Sequence, residues 1–355
     1  MLSFITPSHV ILLFSLLTIS FIVTIVWTPL WTGLLYRYRV GKRLRLASDA
    51  PVFTKLHEHK AGTPTMGGVL VWVTTLVIAL VFWGIHYVWP HSLLARMNFL
   101  SRSETWLPLG VLVSSALVGL VDDCMNVVGI GPKGGGLRMR HKLILYTLIA
   151  LVGVYWFYVK LQWNVLHVPF YGNVQLGLWY VPFFVFVIVA TAFSVNEIDG
   201  LDGLSGGTLA AALGAYGTIA FVQGHVDLAA MCAVMIGSLL AFLWFNIPPA
   251  RFFMGDTGAM SLGITLGLIA MLTNQVLLLP WIGILFVIES LSVIIQVASK
   301  KIRKKKVFLS APIHHHLEAI GWSESKIVMR FWLIAAVTAS SGIVLALLDM
   351  VTTRS

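Results

Sequence analysis

Long apolar stretches, separated by short polar segments, run through almost the whole of this 355-residue sequence. Each is close to the ~20 residues that a helix needs to cross the ~30 Å hydrocarbon core of a bilayer. Only 11% of the residues are charged, against about 25% in soluble domains, so lipid must solvate much of the surface. The sequence therefore predicts one all-α domain over residues 1–355, a polytopic integral membrane protein with about ten transmembrane helices.

The predicted spans follow these stretches. They cover residues 8–31, 67–89, 105–121, 143–163, 177–195, 205–223, 228–247, 257–276, 279–298 and 329–348. The first is too long, and too poor in preceding basic residues, for a cleaved signal peptide, so it is predicted to be a retained helix. Residues 164–176 alternate apolar and polar side chains around a Tyr-Gly-Asn turn, which predicts a small β-hairpin. Cys124 and Cys232 have no partner at a metal or redox spacing, and no disulfide is expected.

Basic residues mark one side of the membrane. All but four of the 24 Lys and Arg residues lie in or beside the odd-numbered loops, the exceptions being Arg96, Arg102, Lys160 and Arg354. The positive-inside rule makes the odd-numbered loops cytoplasmic, with both termini and the hairpin outside. This bias explains the net charge of +10, so nucleic-acid binding is not expected. The basic run at 300–306 suits contact with anionic lipid headgroups.

Acidic residues are scarce, 14 in all, and a carboxylate near membrane depth is costly, so each one needs a reason. Asp122 and Asp123, followed by Asn126, end the third predicted span on its cytoplasmic side. Adjacent carboxylates raise one another's pKa unless a cation intervenes, so a metal or a cationic group is expected nearby. The alternative is a pair of solvated acids at a helix end, where the helix dipole disfavours them.

Two further acidic clusters share this face. Asn196, Asp199 and Asp202 lie in a Gly-rich segment, whose glycines let a ligand approach the backbone and whose amides suit phosphate binding. A plain turn between spans would explain the glycines but not two aspartates and an asparagine. Asp256 begins the eighth predicted span, where an ordinary N-cap role explains it equally well and does not exclude metal ligation.

Three acidic clusters on one face, without Cys or His at zinc spacings, favour Mg²⁺ and a phosphorylated substrate. Metal-assisted phosphoryl transfer uses such groups. Two more elements join them. Lys60, in the Pro/Gly-containing segment 60–68, suits a phosphate or a base edge, although a simple turn before a span explains it equally well. The segment 311–318, Ala-Pro-Ile-His-His-His-Leu-Glu, suits a phosphate or polar substrate group better than zinc.

Together these residues resemble the phospho-N-acetylmuramoyl-pentapeptide transferase family, within the polyprenyl-phosphate N-acetylhexosamine-1-phosphate transferase superfamily. The resemblance extends from Gly62-Thr-Pro-Thr-Met-Gly-Gly68 to Arg330-Phe-Trp332. The Asp-Asp pair and the Asp-Gly-Leu-Asp-Gly segment are common to the superfamily. By contrast, Ala311-Pro-Ile-His-His-His316, Phe253-Met-Gly-Asp256 and Leu243-Trp-Phe-Asn246 are similar to the muramoyl-pentapeptide branch.

The resemblance implies ten helices in the bacterial inner membrane, a cytoplasmic active site, Mg²⁺ and commonly a homodimer. It implies transfer of phospho-N-acetylmuramoyl-pentapeptide from UDP-N-acetylmuramoyl-pentapeptide to undecaprenyl phosphate, giving lipid I and UMP in peptidoglycan synthesis. The nearest alternative transfers N-acetylglucosamine-1-phosphate to the same lipid, and the triple-His segment disfavours it. A cation transporter fits less well because the acids gather at one edge of the membrane. A non-catalytic lipid-binding protein would not need the acidic set.

The resemblance also implies roles for single residues. Asp256 matches the magnesium ligand, and Asp122 and Asp123 match the catalytic acidic pair, with Asp122 favoured for handling the lipid phosphate. A one-step displacement is the preferred mechanism, and a two-step route through a phospho-aspartyl enzyme remains open. The remaining matches are expected substrate contacts. They are Lys60, Thr65, Asn126, Asn196, Asp199, Asp202, Asn246, Phe253, Gln296, His314, His315 and His316, with Phe253 able to stack on uracil.

One segment departs from the family pattern. Relatives usually have Asn-x-x-Asn-Leu-Thr-Asp, whereas this chain has Phe193-Ser-Val-Asn196-Glu-Ile-Asp199. Phe193 replaces the first asparagine, and Glu197 adds a charge. If that asparagine supports nucleotide or metal binding in relatives, a compensating group is expected nearby.

Overall fold

The computed structural model describes residues 6–41, 60, 62–101, 104–131 and 135–353, which are almost entirely helical. The helices are α1 (Pro7–Arg37), α2 (Val69–Val88), α3 (Trp106–Val128), α4 (Met139–Val154), α5 (Tyr180–Ile198), α6 (Leu204–Gln223), α7 (Val226–Asn246), α8 (Gly255–Leu272), α9 (Leu279–Ile282), α10 (Ile284–Ile302), α11 (Ile313–Ala319) and α12 (Glu324–Thr352). A π-helical turn, Tyr155–Lys160, extends α4. Two strands, β1 (Val165–Val168) and β2 (Gly172–Gln175), follow it.

The helices have the length and composition expected of membrane spans. Within the described residues, nine helices qualify: α1 to α8, counting α4 with its π-helical turn, and α12. The bent pair formed by α9 and α10 brings the number to ten if it is counted as one span. The prediction of a mostly helical chain with about ten spans is therefore confirmed at this level.

Helix α8 lies at the centre of the bundle. Of its most apolar window, 94% is buried inside the protein, against 17% for α1, and it packs against α3 and α5. Its buried hydroxyl groups bond to main-chain carbonyls, and Thr257 Oγ1 donates across to the Ala116 carbonyl of α3 at 2.8 Å. Such hydroxyl bonds and small residues are typical of helix packing in lipid. The first residue of this enclosed helix, Gly255, lies at the site described below.

The helix predicted at 279–298 is interrupted, because the chain bends by 79° between α9 and α10. A Cβ atom on Gly283 would lie 2.7 Å from Phe286 Cδ2 and 3.2 Å from the Leu279 carbonyl oxygen, so glycine permits the bend. A single glycine is tolerated inside a helical pattern, and the hydrophobic pattern alone did not reveal the break. After the bend, α10 turns a polar face toward the protein: Glu289, Ser290, Ser292, Gln296 and Ser299 are buried.

The predicted hairpin is confirmed as an antiparallel pair, with Val165 opposite Gln175 and Val168 opposite Gly172. It lies against the last turns of α12. His167 Nε2 is 2.6 Å from Asp349 Oδ2, and the Phe170 amide donates to Asp349 Oδ1 at 2.7 Å. The hairpin is therefore at the C-terminal end of this helix.

The first and last helices both point their chain ends away from the acidic clusters. After α1, the Val40 carbonyl accepts from the Thr65 amide at 3.1 Å, close to Asp123. The first residue of α12, Glu324, contacts Lys60. The acidic clusters thus lie on one face of the bundle and the hairpin on the other. Some basic residues used to predict the orientation lie outside the described residues, namely Lys42, Arg43, Arg45, Lys55, Arg102, Lys133 and Arg354.

Candidate active site

Asp122 and Asp123 lie within α3, and the predicted end of this helix at residue 121 is wrong. The helix continues to Val128, and both side chains are buried, with 4% and 2% of their surface exposed. Buried charges are tolerated when they are paired and hydrogen-bonded. Asp122 Oδ1 accepts from the Leu137 amide at 2.5 Å, and Oδ2 pairs with Lys142. Because both acids are paired inside the protein, they do not have to lie at a solvated helix end.

Asp123 holds the first turn of α8. Its two oxygens accept the backbone N–H groups of Asp256 at 3.1 Å and Thr257 at 3.0 Å, so a side chain of α3 satisfies two free amides of another helix. Gly255 precedes these amides with φ +76°, and a Cβ atom there would lie 2.5 Å from Asp123 Oδ2. Glycine is therefore required both by conformation and by space. The result is a fixed position of Asp256 relative to α3.

Lys142, on α4, joins the first and third acidic clusters. Its Nζ lies 2.8 Å from Asp122 Oδ2 and 2.8 Å from Asp256 Oδ2. Asn196, at the end of α5, donates through Nδ2 to Asp256 Oδ1. In the sequence, Lys142 indicated only the orientation in the membrane, and it was not predicted as a site residue. Its position in the first turn of a span, on the face that holds the acids, was the available signal.

The Asp122 and Asp256 carboxylates converge on one point, and this arrangement bears on whether a magnesium ion fits the site. Among the residues that the structure describes, no three His, Cys, Asp or Glu side chains gather as a metal site. Mg²⁺, however, is usually held by one or two carboxylates with water and substrate phosphates. Asp122 Oδ2 and Asp256 Oδ2 already face one cationic group. These two oxygens, and not those that Asp123 gives to α8, fit the ion.

Gly119 allows this arrangement. A Cβ atom on it would lie 2.4 Å from the Asp256 carbonyl oxygen and 2.7 Å from Thr257 Cα. Small residues of this kind let two membrane helices approach closely. Asp122 and Asp123 follow about one turn later on α3. The contact at Gly119 therefore sets the distance between the acidic pair and Asp256.

A second group of charges surrounds a cleft. Lys60 Nζ lies 2.7 Å from Asp202 Oδ1 and 2.5 Å from Glu324 Oε1. Asp202 Oδ2 accepts the Ala250 amide at 3.0 Å. These residues and Phe253 line a cleft of about 280 Å³. The structure thus gathers three predicted substrate contacts, Lys60, Asp202 and Phe253, around one space.

Asn246 connects the walls of this cleft. Its Oδ1 accepts the Gly203 amide at 2.9 Å, and its Nδ2 donates to the Phe252 carbonyl at 2.8 Å. Trp332 Nε1 donates to the Gly203 carbonyl at 3.0 Å, and Asp199 accepts from the Ser205 hydroxyl at 2.6 Å. Asn246 is 3% exposed, so its amide holds two loops in place beneath the cleft.

The other predicted contacts have protein partners. Gln296 bonds three times to the backbone of residues 307–308, at 2.8 to 3.0 Å, and orders the segment before the histidines. His315 Nδ1 lies 2.7 Å from Glu318, and His316 Nδ1 accepts the Leu309 amide at 3.3 Å. Two contacts are longer: Thr65 Oγ1 is 3.5 Å from Asp123 Oδ1, and Asn126 Nδ2 is 3.5 Å from the Gly135 carbonyl.

His314 lies beneath the Gly-rich segment and is fully buried, as is Glu289 of α10. Its Nδ1 is 3.0 Å from Glu289 Oε2, although the angles are poor for a hydrogen bond. A Cβ atom on Gly200 would lie 2.2 Å from His314 Nε2, so only glycine fits between Asp199 and Leu201. Burial alone would lower the pKa of His314, but the Glu289 carboxylate, aided by Glu318 and Glu197, outweighs burial and raises it.

This raised pKa gives a prediction about stability. A histidine whose folded pKa is raised contributes stability fully below the unfolded value of 6.5, and the contribution is lost as pH rises through the folded pKa. The parent should therefore melt a few degrees, roughly 5 °C, above Glu289→Gln at low pH. That difference should shrink as pH rises. Melting curves from about pH 5.5 to about pH 9 measure it. A constant difference across this range would contradict the charge pairing.

Comparison with known proteins decides the family. Residues 60–70 match Phospho-N-acetylmuramoyl-pentapeptide-transferase signature 1, and residues 105–274 match Glycosyl transferase family 4. A phospho-N-acetylmuramoyl-pentapeptide-transferase of Chloroflexus aggregans is 39% identical over 342 residues, which cover 93% of this chain and 88% of the relative. The chain belongs to the phospho-N-acetylmuramoyl-pentapeptide-transferase family. A Geobacillus member is 40% identical over 328 residues, covering 92% of this chain and 95% of its own.

Membership of the phospho-N-acetylmuramoyl-pentapeptide-transferase family confirms the resemblance found in the sequence. The signature begins at Lys60, which lines the cleft, and includes Thr65 beside Asp123. The longer match contains Asp122, Lys142 and Asp256. The two matched regions therefore meet in space at the candidate site.

The contact at Gly119 gives a second prediction. Gly119→Ala must separate α3 from α8 or distort the backbone at Asp256, and we expect the family's transfer reaction to slow by about 100-fold. Gly110→Ala is the matched control, because a Cβ atom there meets nothing within 4 Å in the same helix. Its rate should stay within about twofold of the parent. Equal rates in the two variants would show that this helix contact does not set the site geometry.

Proposed function

We propose that this protein transfers phospho-N-acetylmuramoyl-pentapeptide from its UDP-linked donor to undecaprenyl phosphate, forming lipid I and releasing UMP in peptidoglycan synthesis. Relatives of this name match along almost the whole chain, at 39% identity over 93% of it in one case. The observation that carries the proposal is the position of their signature segment, which puts Lys60 at a cleft between the acidic loops.

The reaction forms one bond and breaks one. A lipid phosphate oxygen attacks the β-phosphorus of the donor, and the bond from that phosphorus to the bridging oxygen breaks, so that the oxygen leaves with UMP. Asp122 orients the lipid phosphate, and Lys142 supplies positive charge to its oxygens. Phe253 stacks on uracil and Lys60 binds its edge, which holds the leaving group in place. Asn196 fixes the Asp256 carboxylate through its side-chain amide.

The proposed cofactor is Mg²⁺, which Asp256 would hold together with substrate oxygens. When bound, the ion neutralises charge on the diphosphate and the departing UMP. The chain's own groups position the two substrates and hold the acidic cluster together. Asp123 contributes by holding α8, on which Asp256 stands.

The proposed location is the bacterial cytoplasmic membrane, with the site facing the cytoplasm and both termini outside. The bias of basic residues toward the loops of the site face supports this orientation. The burial of a polar face on α10 and the exposure of its apolar side chains support contact with lipid. A homodimer, common in the family, is also proposed.

The test is an assay of the purified protein with undecaprenyl phosphate, Mg²⁺ and each of two donors, UDP-N-acetylmuramoyl-pentapeptide and UDP-N-acetylglucosamine. We expect magnesium-dependent UMP release and lipid I formation with the first donor only. Release with only the second donor would replace the proposal with the sister activity. A covalent phospho-enzyme trapped after rapid quenching would exclude the one-step displacement.

A further inference from the structure

Glu324 is an acid of the cleft that the sequence analysis did not single out. It is the first residue of α12, and 18% of its side chain is exposed. Its Oε1 accepts both from Lys60 Nζ, at 2.5 Å, and from the Asp202 backbone amide, at 2.7 Å. One carboxylate oxygen thus joins the signature segment, the Gly-rich loop and the start of the last helix.

A simpler explanation accounts for only part of this. An acid in the first turn of a helix is favoured by the helix dipole, and α12 would accept Glu324 for that reason alone. The dipole does not explain why the carboxylate reaches two other segments of the chain. Nor does it explain why Lys60 is held between two carboxylates, Asp202 and Glu324, when one would neutralise it.

The two carboxylates restrict Lys60. A lysine side chain has much rotamer freedom, and fixing it costs free energy when a ligand binds. An ammonium group has three N–H donors. Asp202 and Glu324 engage two of them at the cleft, which Phe253 also lines, and leave the third for a ligand. A lysine held in this way before the ligand arrives binds it at less entropic cost.

We propose that Glu324, itself anchored by the Asp202 backbone amide, is a positioning residue that holds Lys60 in the conformation that binds the uridine half of the donor. The inference rests on the proposed function and adds to it a residue that acts through another. It follows that loss of Glu324 weakens binding of the nucleotide and raises the donor KM, while kcat changes little. The effect must disappear when Lys60 is already absent.

The experiment measures UMP binding to the full-length protein by calorimetry and donor kinetics in the same preparations. Glu324→Ala should weaken UMP binding about tenfold, and Glu324→Gln, which keeps an acceptor oxygen, by less. The double variant Lys60→Met/Glu324→Ala should bind UMP no more weakly than Lys60→Met, because the two residues act as one unit. Glu104→Gln is the matched control. Glu104 is 22% exposed and pairs with His225, and it lies at the end of α3 that is far from the acidic clusters.

The inference is overturned by unchanged UMP affinity in Glu324→Ala, or by a double variant whose loss is the full product of the single losses. A loss that comes from misfolding would appear as a lowered melting temperature in Glu324→Ala. The isosteric Glu324→Gln then decides. A fall in its kcat as large as the rise in its donor KM would also overturn the inference. Failure of the proposed function is separate, because the parent itself would then release no UMP.

Discussion

Asp256→Asn should reduce UMP release by about 1000-fold or more, while the protein remains folded and keeps its affinity for UMP. The change removes one of the two carboxylates that converge on Lys142 Nζ. It does not change the shape of the side chain, and it keeps the backbone N–H of residue 256 that donates to Asp123. The lost activity would therefore report on charge and not on the architecture of α8.

Three measurements make this result interpretable. Initial rates of UMP release give kcat, calorimetry gives UMP affinity, and Mn²⁺ binding followed by its paramagnetic signal gives metal affinity without turnover. Metal affinity should fall with kcat. Asp227→Asn is the control, because Asp227 is a half-buried acid in the first turn of α7, away from the cluster. Full activity in Asp256→Asn would remove Asp256 from the chemistry.

Lys142→Met has the second large expected effect, and it should act on stability as well as on activity. Removing one partner of a buried ion pair leaves an uncompensated charge and costs about 3–5 kcal/mol. Lys142 is 15% exposed and faces two carboxylates, so we expect the melting temperature to fall by roughly 10 °C. Turnover should fall by about 100-fold or more.

A second variant separates the two effects. Lys142→Met combined with Asp256→Asn removes one positive and one negative charge, so it should recover much of the melting temperature without recovering turnover. Lys160→Met is the control, because Lys160 is exposed at the other end of the same span. If Lys142→Met melts with the parent, the ammonium does not hold the two carboxylates together.

The sequence could predict the spans and the face on which the acids gather. Both follow from the cost of leaving charges or unpaired backbone groups in lipid. That cost determines the composition and the length of the apolar stretches. The family resemblance followed from the same residues. The break at Gly283 could not be predicted, because the two sides together are long and apolar enough for one span.

The pairing of the charges could not be predicted either. Asp122 and Asp123 are identical neighbours, and only the packing of α4 and α8 gives the first to Lys142 and the second to backbone amides. Glu289 and Glu324 are single acids in distant segments, and tertiary structure alone brings them to His314 and Lys60. Phe193, which departs from the family pattern, is half-buried on α5. Glu197, the other departure, helps to raise the pKa of His314.

The bonds of Asp123 to the Asp256 and Thr257 amides have a consequence for how mutational data on this family should be interpreted. An assay of product formation cannot distinguish the loss of a catalytic group from the loss of a contact that holds the site together. We expect substitution of either neighbouring aspartate to abolish activity, of Asp122 because it would act on the substrate and of Asp123 because α8 would move. A list of acids that activity requires would then include one that does not contact the substrates.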